Sequence, residues 1–118
     1  MLTPIAMGKI AADGSILKAT PGITITTSIV PGSISGSDIG YKVILPERLV
    51  NDSNYIVQLT AENYFERMDS EYTMITLRYQ QNTGFEVLIW ANQSKPSTDP
   101  GFKIDTIRVP WHFVIYDI

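Results

Sequence analysis

One histidine, one cluster of acids and no cysteine set the limits of the chemistry available to this chain. His112 is of a type that serves as a general base or acid near neutral pH, but a nucleophile must stand beside it. There is no thiol, and the serines fall largely in Gly/Pro-rich turns, where hydroxyls satisfy backbone groups. Placed between Trp111 and Phe113 in an alternating run, His112 reads as a sheet-face or interface residue rather than a catalyst. Glu62, Glu66, Asp69 and Glu71, with Arg67 among them, form the acidic cluster. Paired carboxylates hydrolyse glycosides when held about 5–10 Å apart across a cleft, and oxygen-rich loops hold Ca²⁺. Their spacing matches no calcium-loop pattern, so a solvated surface is the better reading. Asp13-Gly14-Ser15 is a turn first and a ligand site second. We expect no catalytic residue, no metal site and no cofactor, and read the chain as a non-enzyme.

Aromatic rings support a different function, because a ring face packs against the apolar face of a sugar. Tyr64 and Phe65 lie in a polar stretch and are the better candidates for contact with another molecule. Trp90 and Trp111 are weaker ligand-binding candidates, and Tyr116 is a further exposed-ring candidate. Each tryptophan sits within an alternating strand, where burial of the ring with its N–H reaching a partner is the simpler use.

Composition narrows the partners. The chain has 118 residues, enough for one domain with a single core. Hydrophobic residues make up 44% and charged ones 18%, which rules out a disordered, strongly solvated chain. Net charge is -3, and the basic residues are scattered singly from Lys9 to Arg108. Nucleic-acid binding needs clustered Lys/Arg, so no nucleic-acid partner is expected. No signal peptide is visible at Met1–Lys9, and no apolar run approaches membrane-spanning length. Synthesis in the cytoplasm without membrane insertion is the expectation.

The elements that must position these residues are strands. Tyr41–Leu45, Tyr55–Glu62, Thr73–Tyr79, Phe85–Ala91 and Trp111–Tyr116 each alternate with period two and are rich in β-branched and aromatic side chains. Phe102–Thr106 adds a short strand. Residues 1–40 differ from 41–118, holding six of the eight glycines and only Lys9, Asp13, Lys18 and Asp38 as charged residues. There, Ala6–Ile10 and Ser15–Lys18 flank Asp13-Gly14, a strong tight-turn dipeptide, and predict a hairpin. Ile23–Val30 follows as a strand. Gln80–Gly84 suits a hairpin between Tyr79 and Phe85. Any helix between Asn63 and Glu71 is limited to one turn. About eight strands at this spacing predict an all-β, antiparallel β-sandwich in a single domain over residues 1–118.

The last strands carry large apolar groups on both faces. Trp111, Phe113 and Ile115 alternate with His112, Val114 and Tyr116; Phe85, Val87 and Ile89 alternate with Glu86, Leu88 and Trp90. A monomeric sandwich has one wetter face, so a second copy is expected to cover one of them. Trp90, Phe113, Ile115, Tyr116 and Ile118 are the interface candidates, in a homo-oligomer for which a trimer is favoured.

Three stretches together resemble the small β-sandwich modules of bacteriophage tail fibres. Ala6–Ile16, with Gly8-Lys9 and Asp13-Gly14, is similar to the hairpin that opens such a unit. Leu45-Pro46 followed by Asn54–Leu59 resembles their core strand, and Phe102–Thr106 followed by Trp111–Tyr116 resembles their closing pair. The resemblance spans nearly the whole chain and lies in framework strands, so no family binding residue carries over from it. It implies a small jelly-roll or H-type-lectin-like shape, trimeric assembly, and a place on a virion as a fibre or appendage. Its partners would be a host surface glycan or another virion protein. No shaft or attachment segment precedes the sandwich within these 118 residues. An excised domain, a stand-alone virion protein and a carbohydrate-binding domain of a cellular protein therefore stay open. A small glycosidase using Glu62–Glu71 is the third reading.

Overall fold

The computed structural model describes residues 2–29, 39–62, 73–92 and 104–117. Among them the regular structure is nine strands and no helix. Strands β1 (Pro4–Ile10), β2 (Ile16–Ala19), β5 (Ile56–Ala61) and β9 (Trp111–Tyr116) form sheet A, in the order β2-β1-β9-β5. Strands β3 (Thr24–Ile29), β4 (Ile39–Ile44), β6 (Thr73–Gln81), β7 (Gly84–Asn92) and β8 (Ile104–Thr106) form sheet B, in the order β3-β4-β7-β6. β8 also pairs with β7. Since β6 runs along one edge of β7, β4 (opposite 84–87) and β8 (opposite 90–92) share the other. All pairings are antiparallel. The architecture is the expected all-β sandwich.

Period-two alternation decides which side chains enter the core. Trp111, Phe113 and Ile115 of β9 face inward with Ala6 and Ile10 of β1. From sheet B they meet Tyr41 and Val43 of β4 and Phe85, Val87 and Ile89 of β7. The rings bridge the two sheets: Tyr41 lies 5.3 Å from Trp111 between centroids, and Phe85 meets Phe113 edge-on at 5.8 Å and 81°. Such pairs add about 0.5–1.5 kcal/mol beyond the area they bury. The described N-terminal strands are no appendage, because Ala6, Ile10 and Ile23 belong to the same core.

Two tyrosine hydroxyls tie the sheets together. Tyr41, on β4, donates to the Ala12 carbonyl in the β1–β2 turn at 2.6 Å. Tyr55, just before β5, donates to the carbonyls of Gln81 (2.6 Å) and Gly84 (3.1 Å) in the β6–β7 turn. Burial pushes both phenols up to about 12, with Asp13 adding to the rise at Tyr41 and Arg108 opposing it.

The turns are made as their residues dictate. Gly14 takes φ 91° and donates to Ala11, while the Asp13 carboxylate accepts from the Ser15 N–H (2.9 Å) and hydroxyl (2.7 Å). Those bonds hold the Asp13 carboxyl below its usual range. The Asn54 N–H bonds the Asp52 carboxylate, closing the polar turn into β5.

Candidate functional site

The structure divides the expected contact residues sharply. Trp111, expected as a ligand contact, and Phe113 and Ile115, expected as subunit contacts, are corrected to core residues, with 1%, 1% and 0% of their surface exposed. The reason is topological. β9 lies between β1 and β5, and these three side chains point at sheet B, so the chain's own second sheet covers them. Leu88, on the other side of β7, is also buried within the single chain. Trp90 is half-buried on the outer face of sheet B, and its indole N–H donates to the Thr76 hydroxyl at 3.0 Å. Tyr116 is half-buried on the outer face of sheet A, opposite Pro4 and Ile56. Tyr64, Phe65, Ile118 and the acids Glu66, Asp69 and Glu71 lie outside the described residues.

His112 is exposed on the outer face of sheet A, with Lys9 and Thr60 as its cross-strand neighbours. Neither is a carboxylate that would orient an imidazole for proton transfer. Among the described residues no group of three or more His, Cys, Asp or Glu comes together. Registers across β2, β1 and β9 instead align Lys18, Lys9 and His112 in one row, which the linear sequence hides. The row crosses a shallow trough of about 490 Å³ whose apolar lining includes Met7 and Val114. The ion pair among the described residues is Arg78–Glu86, on the other sheet, so neither lysine has a carboxylate partner there.

A second concavity, of about 240 Å³, lies on the outer face of sheet B beside the β6–β7 turn. Lys42, Tyr79, Gln81, Thr83 and Glu86 line it. Alternation alone would turn Tyr79 inward with Ile75 and Leu77. One extra residue enters β6 between Arg78, opposite Glu86, and Gln81, opposite Gly84. At this bulge Tyr79 takes φ 53°. The Gln80 side chain turns to the carbonyls of Ser53 and Tyr55, at 2.8 and 2.6 Å. Tyr79 swings out beside Arg78, whose guanidinium carbon sits 4.9 Å from the ring centroid. A bulky residue in the left-handed region costs on the order of 1–3 kcal/mol, and this ring is 65% exposed, so its own burial offsets little of that. Arg78 is fixed in turn by its Nε–H bond to Glu86 at 2.7 Å.

Neither aromatic spacing nor charge in the sequence marks Tyr79, because its position depends on the bulge. The available signal was the five-residue Gln80–Gly84 connection, a length at which hairpins often carry a bulge. No helix among the described residues is long and apolar enough to cross a membrane. Comparison of the chain with protein-family models, with curated proteins and with solved structures finds no match.

Proposed function

We propose that this chain is a non-enzymatic, self-associating β-sandwich module, carried by a virion as a fibre or appendage, that contacts a host surface or another virion protein. The resemblance of its framework strands to tail-fibre modules supports the virion assignment. The observation that carries self-association is the outer face of sheet A. Met7 is 50% exposed and Ile56 40%, and they flank the half-buried Val114 and Tyr116 in adjacent cross-strand rows. Apolar groups gathered on one face mark an interface, and closed symmetry buries them, here in a trimer with Tyr116 near the axis. Phe113 and Ile115 have no part in that contact.

Light scattering at micromolar concentration tests the assembly. The expected mass is three times 13.2 kDa, falling to 13.2 kDa in an Ile56→Asp, Met7→Ser double variant that keeps its sheet circular dichroism. A wild-type chain that runs as a 13.2 kDa monomer overturns the trimer. The second reading, a carbohydrate-binding domain of a cellular protein, is supported by the exposed Tyr79 ring and its charged surroundings.

A further inference from the structure

Core packing does not account for Tyr79. Its backbone is held in the left-handed region by a bulge, and its ring is largely in solvent. Conformations of this kind persist where the surrounding structure enforces them, and they cluster at binding sites. Arg78 covers the ring on one side, leaving the other side of the phenol as an open platform.

The charges around the platform are unequal. Glu86 faces Arg78 on one flank and Lys42 on the other in register, yet its bond goes to Arg78. Lys42 therefore has no ion-pair partner among the described residues. The lining itself holds Lys42 and Glu86, and with Glu86 engaged by Arg78 beside Tyr79, the Lys42 ammonium is the unpaired charge at the platform, opposite in sign to the protein's net charge of -3. At about 240 Å³ the depression falls below the roughly 300–1,000 Å³ of drug-sized pockets, a scale that suits one sugar ring rather than an oligosaccharide.

The geometry points to a glycan site that takes a single pyranose residue bearing a carboxylate. The apolar face of the sugar stacks on Tyr79, and the sugar carboxylate meets the Lys42 ammonium. The Gln81 and Thr83 side chains exchange hydrogen bonds with the ring hydroxyls. This deepens the host-contact part of the proposed function by naming its ligand chemistry, and it lies on the opposite sheet from the self-association face.

The test is a ¹H–¹⁵N NMR titration of the full chain with methyl glucuronide, and in parallel with methyl glucoside. Expected are saturable shifts confined to the Lys42 and Arg78–Glu86 amides, with the uncharged sugar binding at least about tenfold more weakly, near 1.4 kcal/mol. Tyr79→Ala removes the shifts, and Lys42→Gln makes the two sugars bind alike. Tyr79→Gly separates ligand contact from folding: it relieves the left-handed strain, so its melting temperature rises while binding is lost. The proposal is overturned by an absence of shifts at tens of millimolar sugar, by equal binding of the two sugars to the wild type, or by a lowered melting temperature in Tyr79→Gly. Light scattering reads the assembly separately, so a trimer that ignores both sugars sinks this site alone, and a sugar-binding monomer sinks the trimer alone.

Discussion

Gly8 and Phe113 face each other across β1 and β9, and the phenyl ring fills the space a side chain at Gly8 would need. A Cβ at Gly8 would lie 2.6 Å from one ring carbon of Phe113 and 2.8 Å from the next. Phe113 cannot yield easily, because its ring contacts Phe85 at 5.8 Å and Trp111 at 5.9 Å. Gly8→Ala is expected to destabilise the domain by about 1–3 kcal/mol through overpacking. Urea denaturation of Gly8→Ala, Phe113→Leu and the double variant checks the cause. A smaller penalty for alanine in the Phe113→Leu background identifies the ring as the obstacle, and strictly additive effects would count against it.

Alkaline pH should undo the tyrosine ties between the sheets. Tyr41 and Tyr55 have folded-state pKa values raised to about 12 from 10.0, so the folded state holds these protons more tightly than the unfolded chain. Their contribution is intact below pH 10 and is lost as pH rises towards 12, at a limiting slope of roughly 1.4 kcal/mol per pH unit for each phenol. Stability measured from pH 8 to 11.5 should fall steeply in the wild type. The fall should be shallower in Tyr41→Phe and Tyr55→Phe, and an unchanged slope in both would refute the assignment.

The Trp111 indole N–H is buried and has no hydrogen-bond partner among the described residues. A buried donor left unmade costs about 1–3 kcal/mol. Trp111→Phe removes that donor while keeping a ring beside Tyr41, so it should cost well under the roughly 3–5 kcal/mol typical of Trp→Ala. Equal losses for Trp111→Phe and Trp111→Ala in chemical denaturation would show that the nitrogen carries no penalty.

Lys9 and Lys18 stand directly opposite each other on β1 and β2, a like-charge pairing that opposes the strand contact. Lys18→Glu places an opposite charge there and should raise stability by about 0.2–1 kcal/mol. Added salt should stabilise the wild type more than this variant, since screening relieves only the repulsion. Thermal melts at low and moderate NaCl read both effects, and a destabilised Lys18→Glu would contradict them.

Alternation made most strands legible, and Trp111–Tyr116 has the expected bounds. It also left open which face of that strand turns inward, since both carry large apolar groups. The choice follows from partners far away in the chain: Gly8 makes room for the Phe113 ring, and Tyr41 and Phe85 supply aromatic neighbours on the same side. No local pattern carries that information. The Lys18–Lys9–His112 row was hidden for the same reason, because residues scattered along the chain meet only through register. The outward position of Tyr79 was hidden by a different cause, since one inserted residue reverses which face a strand position takes.

β9 has an interior place in sheet A although it is the last described strand, and its Trp111 pairs with Ile10 across nearly the full length of the chain. During translation, β1 therefore leaves the ribosome with one edge unpaired and β5 with no strand partner, and the Ala6 and Ile10 side of the core lacks its aromatic cover. The β6–β7 hairpin closes from local contacts, but the sandwich must wait for the final insertion. Such non-local pairing slows folding and lengthens exposure to aggregation. A nascent chain stalled before Trp111 should thus be a chaperone client and a protease substrate, and release of the closing strand becomes the committing step of its biogenesis.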